Sequence, residues 1–453
     1  MLKNLKKIIS NFYPEILFFG FSILVLLYTL VRDQLIWDGQ RFDDYLKYYI
    51  FGLLLLFLSF LSLFLNKKIK QNIILILTST YLSLLLLEAG LNFINYNKHE
   101  SKKKIFYKSN NYKINENSLY LEYFQSKDKN NLYVKVWPKY FLNKNLEIFP
   151  LSSISYSNII YCNENGYFSK YKTDRYGFNN PDDVWDNEKL DYVLIGDSFV
   201  EGACVNSPYD ISGQLRKISN KKIINLGQAG FGPLSQLGSY IEYMKNKKVK
   251  NIIWFYYEEN DSIDLIHEKK DYLLKSYLFE KNYSQNLIND KKNSKKNKIV
   301  KEFSNLRLKK LYESHIENTD INLKIKRFIT LHNFKNKIFS KEAEIPLIDK
   351  DFFKILKKIK KISDIHESNL IFVYLPSYNT FTIKKPRTNL SKNYVNIKKF
   401  LNEEKIAFID IYQDMFEKSL DPFIYFPLRQ DGHYNKKGYR KIAEIINNYD
   451  LEN

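Results

Sequence analysis

The sequence predicts an α/β fold: a five-stranded parallel sheet with helices on both faces, preceded by three membrane-spanning helices. Two observations predict it. The first 97 of the 453 residues hold three long apolar runs with no polar face. From about residue 190, short apolar runs alternate with stretches of helical spacing, the pattern of a parallel sheet covered on both sides.

The apolar runs are "ILFFGFSILVLLYTLV" (16–31), "YYIFGLLLLFLSFLSLFL" (48–65) and "IILILTSTYLSLLLLEAGLNFI" (73–94). Each approaches the roughly 20 residues a helix needs to cross the hydrocarbon core. Residues 1–97 therefore read as a multi-pass anchor whose partner is the lipid bilayer. The first run lacks a small-residue cleavage site and two more spans follow, so it reads as an anchor and not a removable signal. Lys3, Lys6 and Lys7 before the first span, with Lys67, Lys68 and Lys70 before the third, favour a cytoplasmic amino terminus. Lys98, Lys102, Lys103 and Lys104, after the third span, count against it. Asp33, Asp38, Asp43 and Asp44 between the first two spans carry little weight. Glu88 lies inside the third run, where a carboxylate is a functional hypothesis by default. Its place near the end of the run favours a simpler role, reaching the interface or a neighbouring helix.

Residues 98–185 form a polar, aromatic connecting subdomain with strand-like pieces such as "NLYVKVW", closing in the turn-rich "TDRYGFNNPDDVW". The main domain, 186–453, follows. Its strands are "YVLIGDS", "KKIINLGQAG", "NIIWFYYEEND", "NLIFVYLP" and "IAFIDI". Helices are expected around Ile211–Ser219, over "SQLGSYIEYMKNKKV", and over "NKKGYRKIAEIINNY" with Asn435 as its cap. A basic segment at about 262–350 is too long for a plain loop and reads as a helical insertion.

The net charge of +20 comes from lysines scattered along the chain, with no arginine-rich stripe and no zinc-finger spacing. Nucleic acid is accordingly excluded as a partner. Cys162 and Cys204 are the two cysteines, and the sequence leaves a disulfide and two thiols equally open. His99, His267, His315, His332 and His366 show no paired metal spacing and read as surface or core histidines.

In parallel sheets, ligands gather outside the carboxyl ends of the strands, so the polar residues there are the candidates. The first strand ends in Gly196-Asp197-Ser198. The second leads into Gly230, the third into Glu259-Asn260-Asp261, and "QDGHYN" places Asp431 and His433 before the last helix. These parts suit acyl transfer. A serine hydroxyl needs a base within reach; His433 can be that base, and Asp431 can orient the imidazole. The Ser198 and Gly230 N–H groups with the Asn260 amide can form an oxyanion hole. Asp197 and Asp261 read as structural, Glu201 and Glu258 as solvated carboxylates near the site.

From about residue 190 onward this set resembles the SGNH hydrolases, the GDSL esterase family. The resemblance rests on Gly196-Asp197-Ser198, Gly230, Asn260-Asp261 and Asp431/His433. It implies a flavodoxin-like sheet of five parallel strands, ester chemistry, and neither metal nor organic cofactor. "NLGQAGFGPL", "WFYYEEND" and "DGHYNKKGYRKIAE" look like membrane-anchored bacterial members linked to modification of cell-surface polysaccharide. That implies an inner-membrane protein with a periplasmic catalytic domain, acting on O-acetyl esters of glycans as esterase or O-acyltransferase. A transferase would need a separate acyl-donor membrane protein. The alternatives are a lipid esterase or thioesterase, and an inactive glycan-binding or assembly protein on the same fold. Two departures stand out: Glu258 replaces the usual glycine of Gly-x-Asn-Asp, and Asp431 and His433 are two apart instead of three. The closer spacing is similar to that of exopolysaccharide O-acetyltransferases.

Overall fold

The computed structural model describes residues 2–36, 42–107, 119–126, 130–142, 144–319, 321–339, 345–382 and 388–452. Asp38 lies outside them. The chain divides into two units, 1–97 with 324–340, and 98–323 with 341–453.

In the first unit, helices long and apolar enough to cross a membrane cover Phe12–Leu35, Tyr45–Ser62 and Lys67–Ile94. Leu24, Phe57 and Leu86 are more than half exposed on them, as lipid-facing side chains must be. Polar groups turn inward to one another. Ser22 Oγ lies 3.5 Å from Ser59 Oγ, and Lys70 donates to Glu15 at 2.6 Å. Phe19 and Phe60 meet edge to face at 5.0 Å.

The second unit carries a small sheet, β1 (Leu132–Val134), β2 (Asn158–Ile160) and β3 (Lys170–Lys172). The expected five-stranded sheet follows: β4 (Lys189–Ile195), β5 (Ile223–Asn225), β6 (Lys248–Tyr257), β7 (Asn369–Leu375) and β8 (Ala407–Asp410). Its order is β5-β4-β6-β7-β8, and every pair is parallel. Successive side chains along a strand point to opposite faces, and β4 and β6 show the consequence. Val193, Ile195, Ile252 and Trp254 pack with Leu234, Leu237 and Ile355 on one face. Tyr192, Leu194 and Ile253 pack with Ile211, Leu215, Ile442 and Ile446 on the other. Both faces are apolar because helices cover both.

Helix Ile211–Ser219 starts at Asp210, whose Oδ1 accepts from Gly213 N at 2.9 Å. The next helix, Pro233–Tyr243, is shorter than its pattern suggested. The polar run Lys245–Lys248 offers no apolar face, and β6 begins at its end. Asn435 caps the last helix, Lys436–Glu452, accepting from Lys437 N at 2.9 Å and Gly438 N at 3.1 Å. The stretch between β6 and β7 is made of helices, and it divides. Helix Asp290–Thr319 returns to the small sheet, where Ser304 Oγ donates to Val134 O at 2.8 Å. Residues 324–340 group with the spans instead.

Candidate active site

The strand order reverses beside β4, because the chain leaves it towards β5 on one side and returns to β6 on the other. Ser198 follows β4 and Asn260 follows β6, so both lie at the crevice that such a reversal opens. Ser198 starts a single helical turn, Ser198–Glu201, capped by Asp197, whose Oδ1 accepts from Phe199 N at 2.9 Å. The turn tips the serine hydroxyl off the strand end towards His433.

Ser198 Oγ lies 2.8 Å from His433 Nε2. The carboxylate on the other ring nitrogen is Glu164, with Oε1 3.0 Å from Nδ1. Its Oε2 accepts from His433 N at 2.7 Å, so one side chain fixes both the ring and its backbone. This corrects the expectation for Asp431. In an extended strand residues two apart share a side, but residues 430–432 form a bend and Asp431 does not follow His433 to the ring. Asp431 is exposed, and Gly432 between the two has a steric role. A Cβ there would come within 2.5 Å of Glu164 Oε2; glycine leaves room for the carboxylate.

Burial pulls the His433 pKa down, but the Glu164 charge and hydrogen bond, with the charges of Asp197 and Glu201, outweigh it and the net shift is upward. Phe199 packs on the imidazole with ring centroids 4.7 Å apart and on Tyr257 at 4.2 Å, which limits how the ring can turn.

Of the expected oxyanion donors, Ser198 and Asn260 come together through Asp197. Asp197 Oδ2 accepts from Asn260 Nδ2 at 2.9 Å and lies 3.5 Å from Ser198 Oγ, so amide and hydroxyl share one neighbour. One Nδ2 hydrogen is committed to Asp197, and the amide has a second. Gly230 has φ +73°, a conformation that favours glycine, and a Cβ there would sit 3.3 Å from Pro138 Cδ and 3.7 Å from Trp137 Cβ. The Arg307 guanidinium covers the Trp137 ring at 3.9 Å. The connecting subdomain and the insertion thus pack together beside Gly230.

Cys162 and Cys204 are joined in a disulfide. It ties the loop that carries Glu164 to the loop that follows the Ser198 turn. Glu164, Cys204 and His433 bring ligand-type atoms within 4.8 Å of one another. The Cys204 sulfur is already bonded, so the set does not fit a metal ion.

Glu201 and Glu258, expected in solvent, are buried. Glu201 pairs with the buried Lys135 and accepts from Tyr171 OH. Its Oε2 takes Ala229 N at 2.7 Å, one residue before Gly230. Burial lowers the Lys135 pKa, and Glu201 raises it in part. Glu258 accepts from Tyr374 OH at 2.8 Å and Ser377 N at 2.7 Å, holding the ends of β6 and β7 together. Asp261 accepts from Tyr257 N at 2.7 Å and Gln236 Nε2 at 2.9 Å, a structural role as expected.

The sheet and the order of its blocks are those the SGNH resemblance implies. No family model and no curated protein matches the chain. Similar solved structures include a member of the lipolytic protein G-D-S-L family from Veillonella parvula (14% identity, TM-score 0.31, covering 57% of this chain and 96% of that one). A lipase/acylhydrolase from Enterococcus faecalis is similar at 12% identity and TM-score 0.33, covering 57% and 93%. An acetylxylan esterase from Geobacillus stearothermophilus is similar at 12% identity and TM-score 0.30, covering 57% and 92%. Values this low carry no function across, and the distances among Glu164, His433 and Ser198 do not depend on them.

Sequence reading missed Glu164, Lys135 and Tyr171. A signal for Glu164 was present: it lies two residues beyond Cys162, while Cys204 lies six beyond Ser198. A disulfide between the two would have brought this carboxylate near the serine.

Proposed function

We propose that the protein is a membrane-anchored serine esterase or O-acyltransferase in which Ser198 is the nucleophile, His433 the general base and Glu164 the carboxylate that orients it. The contact that carries this reading is Ser198 Oγ at 2.8 Å from His433 Nε2, with Glu164 on the opposite nitrogen. In the first step Ser198 Oγ attacks the ester carbonyl while its proton passes to His433 Nε2. Glu164 holds the tautomer that leaves Nε2 free to accept and stabilises the imidazolium that forms. Ser198 N, Gly230 N and Asn260 Nδ2 are the donors for the developing oxyanion. His433 then protonates the departing alkoxide, leaving an acyl-serine and the free alcohol. Water hydrolyses the acyl-serine, or a sugar hydroxyl accepts the acyl group.

The substrate class that fits best is an acylated surface glycan reached from the periplasmic side. A disulfide beside the reacting groups supports that side, since such bonds persist in oxidising compartments. The close Asp431/His433 spacing does not argue for an inactive binding protein, because Glu164 supplies the carboxylate.

The test is labelling of the full-length protein in membranes by a fluorophosphonate probe. Labelling of the wild type, abolished in Ser198→Ala and strongly reduced in His433→Ala, is the expected result. A folded wild-type protein that never labels would end the enzyme reading.

A further inference from the structure

Residues 324–340 sit within the sequence of the insertion yet group with the membrane spans. They complete helix Ile321–Ile329 and form helix His332–Phe339, joined through Thr330 and Leu331. The hairpin is fastened to the third span at two points. Tyr81 OH donates to Ile329 O at 2.8 Å. Glu88, fully buried, accepts from Asn333 N at 2.9 Å, Asn333 Nδ2 at 3.0 Å and Phe334 N at 2.8 Å.

Two costs cancel in this arrangement. A carboxylate inside an apolar span is unfavourable without donors. The first N–H groups of a helix have no partners of their own and are costly away from water. Glu88 caps the second helix, and the helix neutralises the need of Glu88. Thr330 N and Leu331 N are also satisfied, by Lys326 O at 2.9 Å and Phe328 O at 3.0 Å. A turn lying in water would need none of this from the span.

Depth is consistent with that reading. Glu88 follows Lys70 by eighteen residues, about 27 Å of helix, against a hydrocarbon core of about 30 Å. With Lys70 near one interface, Glu88 is near the other, at the end from which the chain runs on past residue 97. The hairpin leaves Ile325, Ile329 and Ile338 at least half exposed, the first two one turn apart on one face. Lys324, Lys326, Arg327, Lys335 and Lys337 are exposed around them.

We infer that this hairpin lies in the bilayer leaflet at the Glu88 end of the third span, with Ile325, Ile329 and Ile338 among the acyl chains and its lysines and arginine reaching to anionic headgroups. An apolar face framed by basic residues and continuous with a membrane span fits lipid by shape and charge. The chain then passes between the bilayer and the hydrolase unit near residues 98, 324 and 341.

The test uses the full-length protein in phosphatidylcholine–phosphatidylglycerol vesicles. Both native cysteines are in the disulfide, so Ile325→Cys, or independently Ile329→Cys, gives a single thiol for an environment-sensitive fluorophore. Lys281→Cys, exposed in the other unit, is the water-facing control. The expected result is blue-shifted emission at Ile325 and Ile329, strong quenching by a nitroxide carried shallow in the lipid, and several-fold weaker quenching by iodide than at Lys281. Iodide quenching equal to the control, or protection from both quenchers as under a protein partner, overturns the inference. Neither readout depends on catalysis.

Discussion

Glu164 Oε1 stands 3.0 Å from His433 Nδ1 across 269 residues of chain, while Asp431, two residues from the histidine, is exposed. Glu164→Gln should therefore lower kcat/KM by about 100-fold or more, within the range that general acid–base groups contribute. Asp431→Asn should leave it near the wild-type value. The pair of variants, compared on one chromogenic acetyl ester, checks the assignment. Equal losses would return Asp431 to the site.

The pH profile follows from the same contact. His433 must be neutral to accept the serine proton, and its pKa lies above the ordinary 6.5. Activity is expected to fall as pH drops through that raised value. In Glu164→Gln the largest raising influence is lost, Asp197 and Glu201 alone oppose burial, and the acid limb should move to lower pH. The quantity to read is the midpoint of kcat/KM against pH, which reports the free enzyme. A midpoint that stays in place in the variant would separate Glu164 from the base.

The Cys162–Cys204 bond closes a loop with a sequence separation of 42 and anchors the loop that holds Glu164. Replacing both cysteines with serine should cost roughly 2–4 kcal/mol of stability. It should also lower kcat more than it raises KM, because the loss falls on the alignment of the base. Thermal unfolding and steady-state kinetics on the same double variant distinguish the two effects. Unchanged kcat would make the bond purely structural.

Lys135 is the buried counter-charge of Glu201. Lys135→Met should destabilise the protein by about 3–5 kcal/mol, since it leaves a buried carboxylate unpaired. Lys135→Met with Glu201→Gln should recover much of that loss, because the carboxylate left without its lysine is itself removed. Melting temperatures of the single and double variants in one detergent decide the matter. A double variant as unstable as the single would mean that packing, and not charge, is what Lys135 supplies.

Much of the protein was legible along the chain. The three spans were visible because a helix in lipid needs a run of apolar side chains of fixed length, a local property of sequence. The five strands were visible because each is a short apolar run buried on both faces. Ser198 and His433 could be picked out because each sits where an element ends, and ends are marked by turn and cap residues. Asp431 was chosen on the same local logic, which treats nearness in sequence as nearness in space.

The sequence by itself thus determined the three long apolar helices, the parallel sheet, and the serine and histidine that meet at its edge. Only the tertiary structure decided which carboxylate faces His433, that the two cysteines join, that Glu201 is buried against Lys135, and that residues 324–340 go with the third span. Each of these pairs groups from distant parts of the chain. Buried charges and orphan N–H groups take whatever partner the folded backbone brings within a few ångströms, and no periodicity along the sequence records that choice.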